Sequence, residues 1–295
     1  FGILILSSCS GEDDTTVDDG TDNQDLAETG AFVYEINRSQ SSINMVTFYH
    51  IPSGDEENMP VLFVLHGNGR NAAGIRNAWV DEANDKKFIV VAPEFSDADF
   101  PGGDGYILGN VFEDGDNPSP STLNPEEDWA FSVIEPLFDE VKSRTGNTSN
   151  TYDIFGFSAG AQFAHRFMLI KPDASVGKIV ASAAGWYTVP DASITFPYGI
   201  NESPIENIPP ASYFSTDFTI QIGTLDSDPN APALRRNAVV DQQGTNRYDR
   251  AFHVYNTSKT ITEELSITFN WSIVETPGNG HDLEGSIPQA SDFLY

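Results

Sequence analysis

A serine flanked by two glycines, Gly156-Phe157-Ser158-Ala159-Gly160, stands where the apolar run Tyr152-Asp153-Ile154-Phe155 gives way to residues 161–168 with helical spacing. That order predicts a strand, a sharp turn and a helix. The turn holds the hydroxyl at the top of a sheet, and the glycines let the chain bend without a Cβ clash. The first N–H groups of the following helix lack intrahelical acceptors, so they face the place where negative charge develops on an attacked carbonyl. The chemistry expected is nucleophilic attack by Ser158, with the N–H of Ala159 as one oxyanion donor. A serine hydroxyl is a weak nucleophile by itself, so a base must lie within reach and an acid must orient that base.

Two later loops supply candidates in the required order. Phe218-Thr219-Ile220-Gln221-Ile222-Gly223 reads as a strand and is followed by Thr224-Leu225-Asp226-Ser227-Asp228. Residues 265–274 read as another strand, running into the Gly-rich loop Pro277-Gly278-Asn279-Gly280-His281-Asp282. Ser158, then an acid, then His281, each just past a strand end, is the chain order of the α/β-hydrolase fold. Asp226 lies nearer the strand end, and Asp228 is the alternative acid. Asp226-x-Asp228-x-Asn230 opens like a calcium loop but lacks the sixth-position Gly and the distal Glu, so no metal is assigned there.

The other four histidines read as structural, because a lone histidine usually satisfies a local hydrogen bond. His50 ends an expected edge strand, His165 lies in the helix after Ser158, and His253 lies in a late amphipathic stretch. His66 belongs to Leu65-His66-Gly67-Asn68-Gly69, at the end of the apolar run Pro60-Val61-Leu62-Phe63-Val64-Leu65. Small residues straight after a buried strand expose main-chain N–H groups, so Asn68 is the second expected oxyanion donor, with His66 bracing the loop.

Around these loops the sequence predicts strands at 31–36, 44–49, 88–93 and 178–184. A helix is predicted over 125–144, kinked or started late by Pro136, which has no N–H. Strands alternating with helices imply a mostly parallel sheet covered on both faces. Two irregular stretches, 100–123 and 185–217, bring Tyr106, Trp186 and Tyr187 toward the top of the sheet. With His66, Gly67 and Gly69 these form the expected pocket surroundings. The aromatics either grip substrate or pack their loops onto the domain, since they serve cores and interfaces alike.

These motifs, with Gly223-Thr224-Leu225-Asp226 and Gly280-His281, resemble α/β-hydrolase-fold serine esterases of the polyhydroxybutyrate depolymerase and feruloyl esterase-like group. The resemblance covers residues 31–295. It implies carboxylic-ester hydrolysis through a covalent acyl-enzyme, without a cofactor, on small or polymeric esters such as acyl or aryl esters of glycans or short polyesters. The chain departs from that group in having one cysteine, where secreted members often carry disulfides. Two other readings keep the fold: an inactive surface-tethered binding protein, and a peptidase or acyltransferase using the same three residues.

The beginning of the chain bears on location. Phe1-Gly2-Ile3-Leu4-Ile5-Leu6-Ser7-Ser8-Cys9 reads as the tail of an apolar signal segment, and Leu6-Ser7-Ser8-Cys9 resembles a bacterial lipobox. Cys9 has no partner for a disulfide and is the expected lipidation site. Residues 1–9 are thus expected to be a signal remnant, 10–29 a disordered acidic tether, and 30–295 the catalytic domain. The expected location is extracytoplasmic, at the bacterial outer membrane and its cell surface, held by lipid at Cys9.

The whole chain of 295 residues carries −29, and the tether holds eight acids and no base, which leaves −21 on the domain. Such a surface repels phosphate backbones, so nucleic-acid binding is not expected. It also disfavours highly anionic substrates unless the cleft differs locally. Oligomeric state is not legible in the residues.

Overall fold

Val61–Leu65 and Ile89–Pro93 are buried at every position. Successive side chains of a strand point to opposite faces, so both faces of the sheet are covered there. The computed structural model describes residues 26–295 and the two-residue strand β1 (Val17–Asp18). Residues 1–9, with Cys9, lie outside the described residues, as does most of 10–25.

Among the described residues, nine strands form one sheet: β1, β2 (Thr29–Asn37), β3 (Ser42–His50), β4 (Val61–Leu65), β5 (Ile89–Pro93), β6 (Tyr152–Phe157), β7 (Val176–Ser182), β8 (Asp217–Gly223) and β9 (Trp271–Thr276). Their order is β1-β2-β3-β5-β4-β6-β7-β8-β9. From β5 through β9 all pairings are parallel, while β3 runs antiparallel to both β2 and β5. The α-helices among the described residues are α1 (Ala72–Ala78), α2 (Val80–Lys86), α3 (Gly102–Gly105), α4 (Ile134–Thr145), α5 (Ala159–Ile170), α6 (Pro210–Phe214), α7 (Arg247–Leu265) and α8 (Ile287–Leu294). This is the α/β-hydrolase architecture, a mostly parallel sheet with helices packed on it. The central helix α5 is buried along its whole length against β4, β6 and β7. Its residues are apolar around nearly the full circumference, as a helix in the middle of a core requires.

Three local expectations are corrected. His50 does not end an edge strand, because β3 is paired on both sides; its ring bonds Thr29 Oγ1 and Asn84 Oδ1. The helix expected over 125–144 begins at Ile134, after two short 3-10 turns. Pro136 is then its third residue, where an N–H would have had no intrahelical acceptor, so the helix starts late rather than kinks. The strand expected over 265–274 begins only at Trp271, because Leu265 ends α7 and Ser266 caps it at φ 55°.

Candidate active site

Backbone geometry builds the turn at Ser158 first. Ser158 sits between β6 and α5 with φ 55° and ψ −107°, a conformation that costs a non-glycine residue on the order of 1–3 kcal/mol. A Cβ on Gly156 would lie 2.2 Å from the carbonyl oxygen of Gly160. A Cβ on Gly160 would lie 2.0 Å from the carbonyl oxygen of Leu65, on the neighbouring strand β4. The two glycines therefore permit the helix to start tight against two strands, which is what aims the hydroxyl out of the sheet.

The loops after β8 and β9 meet that hydroxyl as one unit. Leu225 N donates to Asn279 O at 2.8 Å, and Gly278 N donates to Thr224 Oγ1 at 2.9 Å. Gly223 is the contact point, since a Cβ there would come 2.4 Å from the carbonyl oxygen of Asn279. The result is a continuous hydrogen-bonded chain: His281 Nε2 is 3.1 Å from Ser158 Oγ, and His281 Nδ1 is 2.8 Å from Asp226 Oδ2. The imidazole packs on Phe157, with ring centroids 5.0 Å apart. With Nδ1–H donated to the carboxylate, Nε2 is left as the acceptor for the serine hydroxyl.

Of the two acids, the fold brings in Asp226 and leaves Asp228 out. Asp226 is 5% exposed, while Asp228 is exposed and accepts from Asn230 N in its own turn. The carboxylate of Asp226 also faces a residue that sequence reasoning missed. Arg247 Nη1 lies 3.3 Å from Asp226 Oδ1, with both side chains almost fully buried. Arg247 opens α7, where Asn246 caps the helix by accepting from Asp249 N, and Tyr248 N donates to Asp226 O. Nothing local links Arg247 to an acid 21 positions earlier; the available signal was the rarity of bases in so acidic a chain.

The upstream loop is braced rather than open. His66 Nε2 accepts from Phe95 N at 3.1 Å and Nδ1 donates to Gly67 O at 3.0 Å. Burial lowers its pKa from the usual range to about 4, so the ring is neutral. Tyr106 OH donates to His66 O at 2.8 Å, and Arg70 holds the carbonyls of Phe95, Phe100 and Gly102 while lying over the Tyr106 ring. Asn68 remains exposed above these contacts.

A cavity of about 190 Å³ opens beside Ser158, lined by Asn68, Ile107, Ala159, Gln162, Gly185, Trp186, Ala233, Arg235 and Arg247. Asn68 and Ala159 thus share a cavity with Ser158, and Trp186 forms part of its wall. The other expected pocket residues do not line it. His66 and Tyr106 are buried beneath the loop, and Tyr187 is buried edge-to-face with His165, ring centroids 5.2 Å apart. Gly67 and Gly69 belong to the loop rim, and a Cβ on Gly67 would touch Ser158 Cβ at 3.7 Å. Gln162, Arg235 and Arg247 are lining residues that sequence reasoning did not select. A larger groove, about 660 Å³, lies at the other end of α5 among Glu126, Glu135, Lys171 and Asp173, and includes none of Ser158, Asp226 or His281.

No protein-family model matches the chain. It is 28% identical over 157 residues to poly(3-hydroxyalkanoate) depolymerase C of Paucimonas lemoignei, a match covering 52% of this chain and 35% of that protein. The match therefore spans about a third of the length of that curated relative. Among solved structures, poly(aspartic acid) hydrolase-1 from Sphingomonas sp. KT-1 superposes with a TM-score of 0.82 and 35% identity, covering 90% of this chain and 97% of that one. LpqC, a poly(3-hydroxybutyrate) depolymerase from Bordetella parapertussis, gives a TM-score of 0.82 and 27% identity, over 92% and 90% of the two chains. With fold, turn geometry and near-complete coverage in agreement, the chain belongs to the α/β-hydrolase-fold serine hydrolases of the poly(3-hydroxybutyrate) depolymerase-like group.

Proposed function

We propose that the protein hydrolyses carboxylic esters through an acyl-enzyme on Ser158, and the observation that carries this is the unbroken hydrogen-bonded chain Ser158–His281–Asp226. As Ser158 Oγ bonds to the carbonyl carbon, its proton passes to His281 Nε2, and Asp226 stabilises the imidazolium through Nδ1–H. His281 then gives the proton to the leaving alkoxide oxygen, and the carbon–oxygen bond breaks. Water repeats the attack with His281 again as base, releasing the acid and restoring the serine.

Ala159 is the first residue of α5, so its N–H needs no carbonyl of its own helix, and Asn68 lines the same cavity as Ser158. These two N–H groups are the proposed oxyanion donors, each worth about 3 kcal/mol of barrier. The proposed substrates are esters in small molecules or in polymers, in keeping with relatives named as depolymerases. Similarity to a poly(aspartic acid) hydrolase supports a second reading, cleavage of amide links by the same groups.

A fluorophosphonate probe tests the nucleophile: Ser158 should be labelled in the wild type and the label lost in Ser158→Ala. A panel of 4-nitrophenyl esters beside matched anilides separates ester from amide cleavage. Absence of labelling together with absence of turnover would favour the binding-protein reading.

The proposed location is outside the cytoplasm, at the bacterial outer membrane, through lipid at Cys9. No helix among the described residues is long and apolar enough to cross a membrane. Release of the protein from the membrane fraction by Cys9→Ser is the expected result.

A further inference from the structure

The domain is strongly acidic, yet three of the nine arginines in the chain gather beside Ser158. Arg235 and Arg247 line the cavity directly. Arg166 lies just behind it, with its guanidinium 4.1 Å over the Trp186 ring, while Arg235 stacks on the same indole at 4.8 Å and on Tyr198 at 5.3 Å. Two carboxylates are ion-paired with these three cations, and Asp104 acts on Arg235 from farther off. Asp226 takes Arg247, and Asp116 takes Arg235 from the rim, where its side chain is 44% exposed.

Arg166 has no carboxylate paired with it among the described residues. It bonds Thr188 Oγ1 at 2.9 Å and Gln162 O at 3.1 Å, although it is fully buried. Asp116 acts on it only from a distance, and a buried cation without a close counter-charge is costly and leaves a positive potential in its neighbourhood.

Donors predominate among the buried polar atoms without a protein partner behind this cavity. Arg247 Nε and Arg166 Nη2 are buried donors without partners, and Gln162 Oε1 is a buried acceptor without one. Gln162 and Arg247 are each at least nine-tenths buried and line the cavity. The unpaired atoms lie behind the surface of the wall, two donors to one acceptor, and so add to its positive bias. His281 must hand its proton to the leaving oxygen but does not line the cavity. The leaving group therefore sits on the side of His281, and the cavity takes the acyl portion.

We infer that this cavity is a carboxylate subsite, so that the enzyme prefers substrates whose acyl portion carries an anionic group a few bonds from the scissile carbonyl. The inference rests on the serine-hydrolase reading above. The guanidinium of Arg235 is the group that contacts the substrate carboxylate, and its plane is preset by Trp186 and Tyr198. Arg166 adds charge from behind, and Asp116 competes for Arg235 from the rim.

The test compares mono(4-nitrophenyl) adipate with its methyl ester, which has the same reach but no charge. A charge-assisted hydrogen bond predicts a kcat/KM preference for the acid of roughly tenfold or more in the wild type. Arg235→Gln should bring the ratio close to one, Arg235→Lys should keep part of it, and Asp116→Asn should raise it. Arg235 is partly exposed, so these variants should remain folded, which a melting curve checks. Calorimetric titration with free adipate reads the subsite without turnover, and binding to the wild type should be lost in Arg235→Gln. Equal or faster hydrolysis of the methyl ester by the wild type would overturn the inference, as would a ratio unmoved by Arg235→Gln. Failure of fluorophosphonate labelling overturns the nucleophile instead, and adipate binding then still decides the subsite.

Discussion

Asp226 divides its carboxylate between two partners: Oδ2 accepts from His281 Nδ1 at 2.8 Å, and Oδ1 faces Arg247 Nη1 at 3.3 Å. The carboxylate is buried, so an orphaned oxygen would be expensive. Arg247 removes that cost and fixes the plane of the group, and the amide of Tyr248 fixes the backbone behind it. The acid is thereby held from the side opposite the imidazole, by the first turn of α7.

This arrangement separates the two acids experimentally. Asp226→Asn should lower kcat by about 10³–10⁴-fold, because the imidazole loses the partner that sets its tautomer. Asp228→Asn should leave kcat within about twofold, since Asp228 only closes its own exposed turn. Steady-state kinetics on a 4-nitrophenyl ester read both.

Ser158→Gly should inactivate the enzyme while raising its stability by about 1 kcal/mol. The native φ of 55° is strained for serine and free for glycine. Ser158→Ala keeps most of the strain and should show the same loss of turnover, on the order of 10⁴-fold or more, without the gain in melting temperature.

Gly160→Ala should destabilise the fold by about 1–3 kcal/mol, the usual range for forcing atoms into a packed interior. The new methyl would overlap the carbonyl of Leu65, which belongs to β4 and has no flexible end to move. Gly69→Ala serves as the control, since no atom lies within 4 Å of its Cβ position. Denaturant midpoints compare the two.

Stability should fall in acid through buried neutral histidines. Burial lowers His66 to about 4 and pushes His165, which packs on Tyr187, Phe218 and Trp271, well below its usual value. Below about pH 6.5 the unfolded chain takes up protons that the folded one refuses, so stability present above that pH is lost as pH drops toward 4. The His66 share is about 3 kcal/mol at full effect. The variant His66→Gln, unfolded in denaturant at pH 7.5 and at pH 4.5, should lose less stability than the wild type. The difference between the two removes the general titration of surface carboxylates.

Most strands were legible because apolar residues run continuously through β4 and β5, as strands buried on both faces must, and dominate β6. Where the reading slipped, the cause was local ambiguity. Leu265 and the residues after it alternate like a strand, yet the helix carries to Leu265 and closes with Ser266 in a left-handed cap. Tyr106 and Tyr187 looked like pocket aromatics, but neighbouring rings and the His66 carbonyl bury them.

The sequence by itself determined the turn around Ser158, the strand-end loops bearing Asp226 and His281, and their order, because glycine placement and apolar periodicity act over a few residues. Only the tertiary structure decided which acid faces the imidazole, that Arg247 backs it, and that Arg166 and Arg235 converge on Trp186. Those contacts join residues up to 55 positions apart. Their distances follow from strand order and helix packing across the whole sheet, which no local pattern encodes.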